Sequence, residues 1–133
     1  MYKVQILPKA EEDICANTDY IAFAKKAPET ALQLARGFYK TIAKLESMPE
    51  AHALDDDKEL AIKGIRKCYY RRYKIYFYID ESAKKVYVLR VLHMLVDAKP
   101  KLILENPIQP YSGSLSDSFN PSGSLIPQTV PFS

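Results

Sequence analysis

Alternating and helical patterns of apolar residues divide the first hundred residues into six elements. The opening stretch YKVQIL, residues 2–7, alternates and is rich in β-forming residues, which predicts a strand. Pro8 then suits the first turn of a helix. Ala10, Ile14, Asn17 and Ile21 recur at helical spacing and predict a first helix over roughly residues 8–25. Asn17 is the polar residue on this inward stripe.

A second helix is predicted to begin at Pro28, at the start of a wide apolar stripe. It should end near Met48, because a residue before proline is disfavoured in the α region. The short link between the helices predicts an antiparallel helix hairpin. The members of the stripe are Ala31, Leu34, Ala35, Phe38, Ile42 and Leu45.

After Gly64 the pattern indicates strands. RYKIYFYI, residues 72–79, alternates between a face of Tyr73, Ile75, Phe77 and Ile79 and a face of Lys74, Tyr76 and Tyr78. VYVLRVLH, residues 86–93, is almost wholly apolar, as is typical of a strand covered on both faces. The order β-α-α-β-β-β predicts an α+β fold, in which a small, curved, mostly antiparallel sheet packs against the helix hairpin.

Two polar segments flank or interrupt these elements. EAHALDDDKE, residues 50–59, is predicted to be a solvated, mobile loop and not a metal site, because adjacent carboxylates on irregular backbone rarely converge on one ion. Residues 105–133 hold five prolines and seven serines but no lysine or arginine. We therefore expect a folded domain over residues 1–104 and a disordered or loosely docked tail over 105–133. In the docked alternative, Leu115, Phe119, Leu125 and Ile126 would contact an apolar groove.

Composition narrows the class of protein. The 133 residues suffice for one domain, and no apolar run is long enough to span a membrane. The N-terminus lacks a cleavage site of small residues, so we expect no signal peptide and a cytoplasmic location. Cys15 and Cys68 form no CxxC pair and lie far from either histidine in sequence. We expect two buried free thiols, no metal and no cofactor.

Positive charge is concentrated in one part of the chain. Residues 63–101 carry 11 Lys and Arg against 3 Asp and Glu, whereas residues 1–62 carry 8 against 11. Such a field favours an acidic partner, either nucleic acid or an acidic protein segment. A plain nucleic-acid-binding module is therefore one reading of this segment.

The motifs, in their order and spacing, resemble the RelE/ParE family of toxins from bacterial type II toxin–antitoxin systems. PKAEEDICANTDYIA is similar to the family's first helix, and APETALQLARGFYKTIAKLESMPE to its second. GIRKCYYRRYKIYFYID resembles its Gly-x-Arg and Tyr-Arg-x-x-Tyr sheet segment, and VYVLRVLHMLVD resembles the ParE-type ending. The chain departs from the family pattern at Asn17, Lys74 and Leu95 or Val96.

The resemblance implies one of two activities and a neutralising antitoxin. RelE-type members cleave mRNA on the ribosome, and the matching catalytic positions here are Lys67, Lys74 and His93. Met94 stands where the resembled ribonucleases have a basic residue, and it can do no acid–base or electrostatic work, so the set is incomplete. ParE-type members inhibit DNA gyrase without agreed catalytic residues, and the LRVLH ending favours that branch. We therefore expect a growth-arresting gyrase inhibitor, not itself catalytic, with the ribonuclease or a non-toxic nucleic-acid-binding relative as alternatives.

The basic segment and the last strand supply the candidate contacts to the target or the antitoxin. An antitoxin would cover this surface as a helix in a groove or as an added strand. The arginines have an equally good reading as a solvated sheet face, and the tyrosines as half-buried strand residues. The candidates are Arg66, Arg71, Arg72, Tyr76, Tyr78 and Arg90.

Overall fold

The helices form where the apolar stripes predict them. The computed structural model of the protein describes residues 1–103; the predicted tail lies outside the described residues. Helix α1, Pro8–Asp19, continues through one π-helical turn, Tyr20–Ala24, and α2 spans Pro28–Ala43. A 3₁₀ turn follows α2, and Met48 adopts a left-handed conformation directly before Pro49. The predicted hairpin and its boundaries are thus confirmed to within a few residues.

Four strands form one mixed sheet. They are β1, Lys3–Ile6; β2, Ile65–Tyr70; β3, Tyr73–Asp80; and β4, Lys85–His93. The order in the sheet is β1-β4-β3-β2, with β1 parallel to β4 and the other neighbours antiparallel. The predicted α+β class, element order and mostly antiparallel pairing are confirmed. β4 is central and β2 forms an edge.

One face of the sheet carries the apolar core. Ile75 and Phe77 of β3 are fully buried in a cluster with side chains of both helices, and Tyr73 and Ile79 pack against it. This confirms the inward face that the alternation of β3 predicts. The helix members of the cluster are Ala10, Ile14, Leu34, Phe38 and Ile42.

The opposite face of β3 differs from the prediction. Tyr76 was expected on the exposed face with Lys74 and Tyr78, but only 2% of it is exposed. It lies in mid-sheet between Lys67 and Arg90, and the Lys74 ammonium sits 5.7 Å from its ring centroid. A register shift between Tyr76 and Phe77 interrupts the pairing with β4 at this point. The large ring is thus buried although it lies on the face of β3 opposite the Ile75 and Phe77 side chains.

The acidic segment is also more ordered than the sequence suggests. Helix α3, Lys58–Ile62, begins where the Asp57 carboxylate accepts hydrogen bonds from the N–H groups of Glu59 and Leu60, at 2.9 and 3.1 Å. Leu54 pairs with Arg66 at the start of β2. The segment is solvated as predicted, since most of its residues are exposed, but it is not an irregular loop throughout: the aspartates cap a helix and hold an ion pair. The signal for α3 was the capping Asp57 itself, seven residues before Gly64.

Helix α1 is fastened to β4 by the Asp13 carboxylate. β1 ends at Ile6, opposite Val88, so within residues 1–103 no strand pairs with the rest of β4 on that side. There Asp13 Oδ2 accepts a hydrogen bond from the Val91 N–H at 2.9 Å. The same carboxylate binds the Arg90 guanidinium through two bonds, at 2.7 and 2.9 Å. A side chain of the helix thus replaces a neighbouring strand at this edge.

The chain divides into two compact units. The first spans Met1–Asp97 and holds the sheet, the hairpin and α3. The second begins at Ala98, and its described part is the short helix α4, Ala98–Ile103.

Replacing Asp13 by alanine should lower the free energy of unfolding by about 3–5 kcal/mol, because the buried Arg90 charge loses this carboxylate. Urea denaturation measures the change. Asp19→Ala is the matched control, since it removes an exposed carboxylate from the same helix and should cost at most about 0.5 kcal/mol. Equal losses in the two variants would contradict this role for Asp13.

Candidate functional site

The turn between β2 and β3 presents two adjacent arginines. Arg71 and Arg72 are both exposed. Arg71 has a positive φ of 53°, a left-handed conformation that is unfavourable for a residue with a side chain. Its guanidinium carbon lies 5.3 Å from the centroid of the Tyr70 ring, within range of a cation–π contact. The pair therefore forms a cationic tip at one end of the β2–β3 hairpin.

Tyr70 connects this tip to the helix hairpin. Its ring meets the Phe38 ring edge-on, with centroids 5.2 Å apart. The Tyr70 ring also lies directly over Gly37 in α2, where an added Cβ would come within 1.7 Å of the hydroxyl oxygen and 2.0 Å of Cζ. Only glycine leaves room for the ring at this position. The sequence reading missed Gly37; its signal was an isolated glycine inside a strong helical pattern.

Arg66 holds neighbouring backbone in place. One of its guanidinium nitrogens, Nη1, donates to the carbonyl oxygens of Glu50 at 3.3 Å and His52 at 2.6 Å. The side chain thereby fastens the segment before α3 to the edge strand β2. Arg66 remains a predicted contact residue, but part of its donor capacity serves this link.

Lys67 is engaged in an ion pair. Its ammonium lies 3.1 Å from Asp55 Oδ1 and 3.7 Å from Asp56 Oδ2. Burial, the largest single influence, lowers the pKa of Lys67, but the hydrogen bond and attraction to Asp55 together with other nearby groups raise it overall. Lys67 therefore stays protonated at neutral pH and is not available as a general base.

The other two residues of the ribonuclease hypothesis lie near the end of the sheet. Lys74 packs against Tyr76, as described above. The Nδ1 atom of His93 accepts a hydrogen bond from the Leu95 N–H at 3.2 Å, and its ring meets the Tyr73 ring edge-on at 5.5 Å. His93 thus orders the turn that follows β4 and packs against its partner in the strand pair. Met94, the next residue, is 48% exposed and offers no acid–base group.

The remaining contact candidates are Arg90, Tyr76 and Tyr78. The first two are buried, and Tyr78 is half-buried. The Arg90 side chain is 7% exposed and bound to Asp13, so little of it is accessible to a target or an antitoxin. The buried Tyr76 is likewise withdrawn from the surface. Tyr78 is half-buried and packs close to Gly64, which has a positive φ of 81°. The structure therefore leaves Arg66, Arg71, Arg72 and Tyr78 as surface candidates.

The cysteines differ from one another. Cys68 is buried in the core, and burial raises the pKa of its thiol to about 11, so it is protonated at neutral pH. Cys15 is exposed, and the expectation that both thiols are buried is wrong for it. Cys15 follows Ile14 on α1, and the inward stripe of the helix passes through Ile14 and not through its neighbour.

A groove of about 650 Å³ runs beside the edge strand β2. It is walled by the end of α2, by the segment before α3, and by β2 itself. Its charged lining residues are Lys44, Asp56 and Lys67, and its largest apolar or aromatic ones are Leu54 and Tyr69. Tyr69 is 57% exposed and Leu54 is 40% exposed.

Within residues 1–103, no three His, Cys, Asp or Glu side chains are grouped so that they could hold a metal ion. None of the helices in that range has the length and apolar run that a bilayer crossing requires.

The family model for the ParE toxin of the type II system parDE matches residues 4–97, and the chain belongs to that family. No match is found among curated proteins.

Two solved structures share the fold. A chain of the chromosomal ParDE system from P. aeruginosa is 20% identical, with a TM-score of 0.57, and the match covers 70% of this chain and 96% of that one. A chain of the toxin–antitoxin complex RelBE2 from Mycobacterium tuberculosis is 22% identical, with a TM-score of 0.51, over 69% of this chain and 96% of that one.

Replacing Gly37 by alanine should destabilise the protein by about 1–3 kcal/mol, because the methyl group would displace the Tyr70 ring. The same change in an open helix stabilises by about 1 kcal/mol. A thermodynamic cycle with Tyr70→Ala separates the two effects. In the Tyr70→Ala background, Gly37→Ala should become stabilising; a penalty that persists there would show that Tyr70 is not the cause.

Proposed function

We propose that this protein inhibits DNA gyrase and that a cognate antitoxin neutralises it. Membership of the ParE toxin family supports the first part. The complexes in which the two structural relatives occur support the second part. The cationic tip of Arg71 and Arg72 is the surface that we assign to the target.

The main support for this proposal is that Lys67 and His93, two candidates for ribonuclease catalysis, already bind other groups of the protein. RNA cleavage needs a group that takes the proton of the ribose 2′-OH, a proton donor for the leaving oxygen, and cations at the phosphate. Lys67 is bound to two aspartates and remains charged. His93 has one ring nitrogen occupied by a backbone N–H. This arrangement favours a toxin that grips a protein over one that cuts RNA.

The proposed target contact requires only complementary charge. Two arginines at a hairpin tip can pair with carboxylates of a protein surface, and Arg makes such contacts in a bidentate manner. Because both side chains are exposed, their charges can steer an acidic surface during encounter. We accordingly expect the free toxin to bind naked DNA weakly and without sequence preference.

Pulse labelling tests the target directly. The chain is induced without antitoxin, and incorporation of thymidine and methionine is followed over the first minutes. We expect thymidine incorporation to fail first, and purified gyrase to lose supercoiling activity in the presence of the protein. Earlier failure of methionine incorporation would instead support the ribonuclease alternative. Normal growth with folded protein present would indicate a non-toxic relative.

Reversing both charges at the tip, in Arg71→Glu/Arg72→Glu, should weaken inhibition by about tenfold or more without unfolding the protein. Lys25→Glu/Lys26→Glu is a closely matched control. It also reverses two adjacent exposed cations, one with a positive φ of 54° and the other 5.8 Å from a tyrosine ring. We expect the control to stay toxic. Full toxicity of the folded tip variant would refute the assignment.

A further inference from the structure

The outer edge of β2 is only partly paired. The Asp55 N–H donates to the Ile65 carbonyl at 2.9 Å, and Leu54 pairs with Arg66. Because main-chain groups alternate in direction along an antiparallel strand, residues 65, 67 and 69 direct theirs outward. Within residues 1–103, no strand or loop pairs with the outward groups of Tyr69. Among the described residues, the strand therefore continues beyond its short partner as an edge without a neighbouring strand.

The groove beside β2 lies along this open edge. It is an open surface groove with a volume of about 650 Å³. Two exposed side chains, Leu54 and Tyr69, line it and offer apolar surface to an incoming side chain. The site thus combines main-chain hydrogen-bonding groups with a shaped trough, which is the combination that recognition by strand addition uses.

Charge around the groove favours an acidic occupant. Lys44 lines it, and the Arg71 and Arg72 tip lies directly beyond the end of β2. Of the nearby acids, Asp55 and Asp56 already face the Lys67 ammonium. A second copy of this chain would bring the same cations to the edge and be repelled. An acidic segment of another protein has the complementary charge.

We propose that an extended acidic segment of the cognate antitoxin adds to the outer edge of β2 as a fifth strand. The proposal rests on the antitoxin partnership proposed above and specifies its site. Main-chain groups of Tyr69 pair with the segment, its apolar side chains cover Tyr69 and Leu54, and its carboxylates approach Lys44. An antitoxin bound there would also lie next to the cationic tip, which gives neutralisation a direct physical basis.

Amide hydrogen exchange locates the added strand. The toxin is co-expressed with the antitoxin encoded beside it, and the purified complex is compared with the free toxin. The Tyr69 amide should exchange rapidly in the free toxin and at least about tenfold more slowly in the complex. A complex in which Tyr69 stays unprotected would overturn the proposal while leaving the antitoxin partnership intact. Absence of any complex would refute the partnership, and the proposal with it.

Two substitutions of Tyr69 distinguish the contribution of its main-chain N–H to antitoxin binding from the contribution of its ring. Tyr69→Pro removes the outward N–H, a change that edge strands tolerate. Tyr69→Thr removes the ring but keeps the N–H and suits a strand. Provided that both variants melt like the parent, Tyr69→Pro should bind the antitoxin about tenfold more weakly than Tyr69→Thr. Equal affinities would contradict main-chain pairing. Protection of Tyr69 in the free toxin, with dimers in sedimentation, would show pairing between two copies instead.

Discussion

The carboxylate of Asp13 is the interaction on which the arrangement of this fold depends. It binds the Arg90 guanidinium through both oxygens and also accepts the main-chain N–H of Val91. β1 is too short to pair with this part of β4, so a helix side chain supplies what a strand would otherwise supply. Desolvating two charges is costly, and the bidentate geometry offsets that cost. α1 is thereby held across the sheet at one position, and α2 follows through a short link.

Local patterns were sufficient for the elements and their order. The stripes of the two helices and the inward face of β3 have strong periodicity, and each is buried as its period predicts. The Asp13–Arg90 pair joins residues far apart in the chain, one in each of two motifs, and no local pattern connects them. Tyr76 shows a second limit: alternation assigns a residue to a face, but its depth of burial depends on tertiary packing, and Tyr76 is only 2% exposed. Helix α3 was missed because five residues are too few for a period.

The sequence predicts which segment contains the basic residues, but it does not predict which of them are exposed and which are bound within the protein. Sequence placed the basic residues in one segment; the structure divides them by what they contact. Arg90 and Lys67 bind carboxylates, and Arg66 binds backbone carbonyls, so these three stabilise the fold. Arg71 and Arg72 remain exposed at the tip. This division could not be read from residue type, because a guanidinium forms the same bonds within a protein as with its partner. Only tertiary position decides between the two.

The positive φ of Arg71 indicates a functional role only in combination with the contacts around this residue. Lys26, Met48 and Lys84 also have positive φ, so a left-handed residue is not in itself a mark of function in this protein. Arg71 differs because the ring of Tyr70 lies against both its guanidinium and Gly37 of α2. The tip is therefore positioned by the helix hairpin, and the hairpin is positioned by Asp13. A disturbance at Asp13 would then reach the tip through packed side chains, without any change in the arginines themselves. Through Asp13, the stability of the fold is coupled to the position of the tip, whereas a substitution of the exposed arginines leaves the packed side chains beneath them in place.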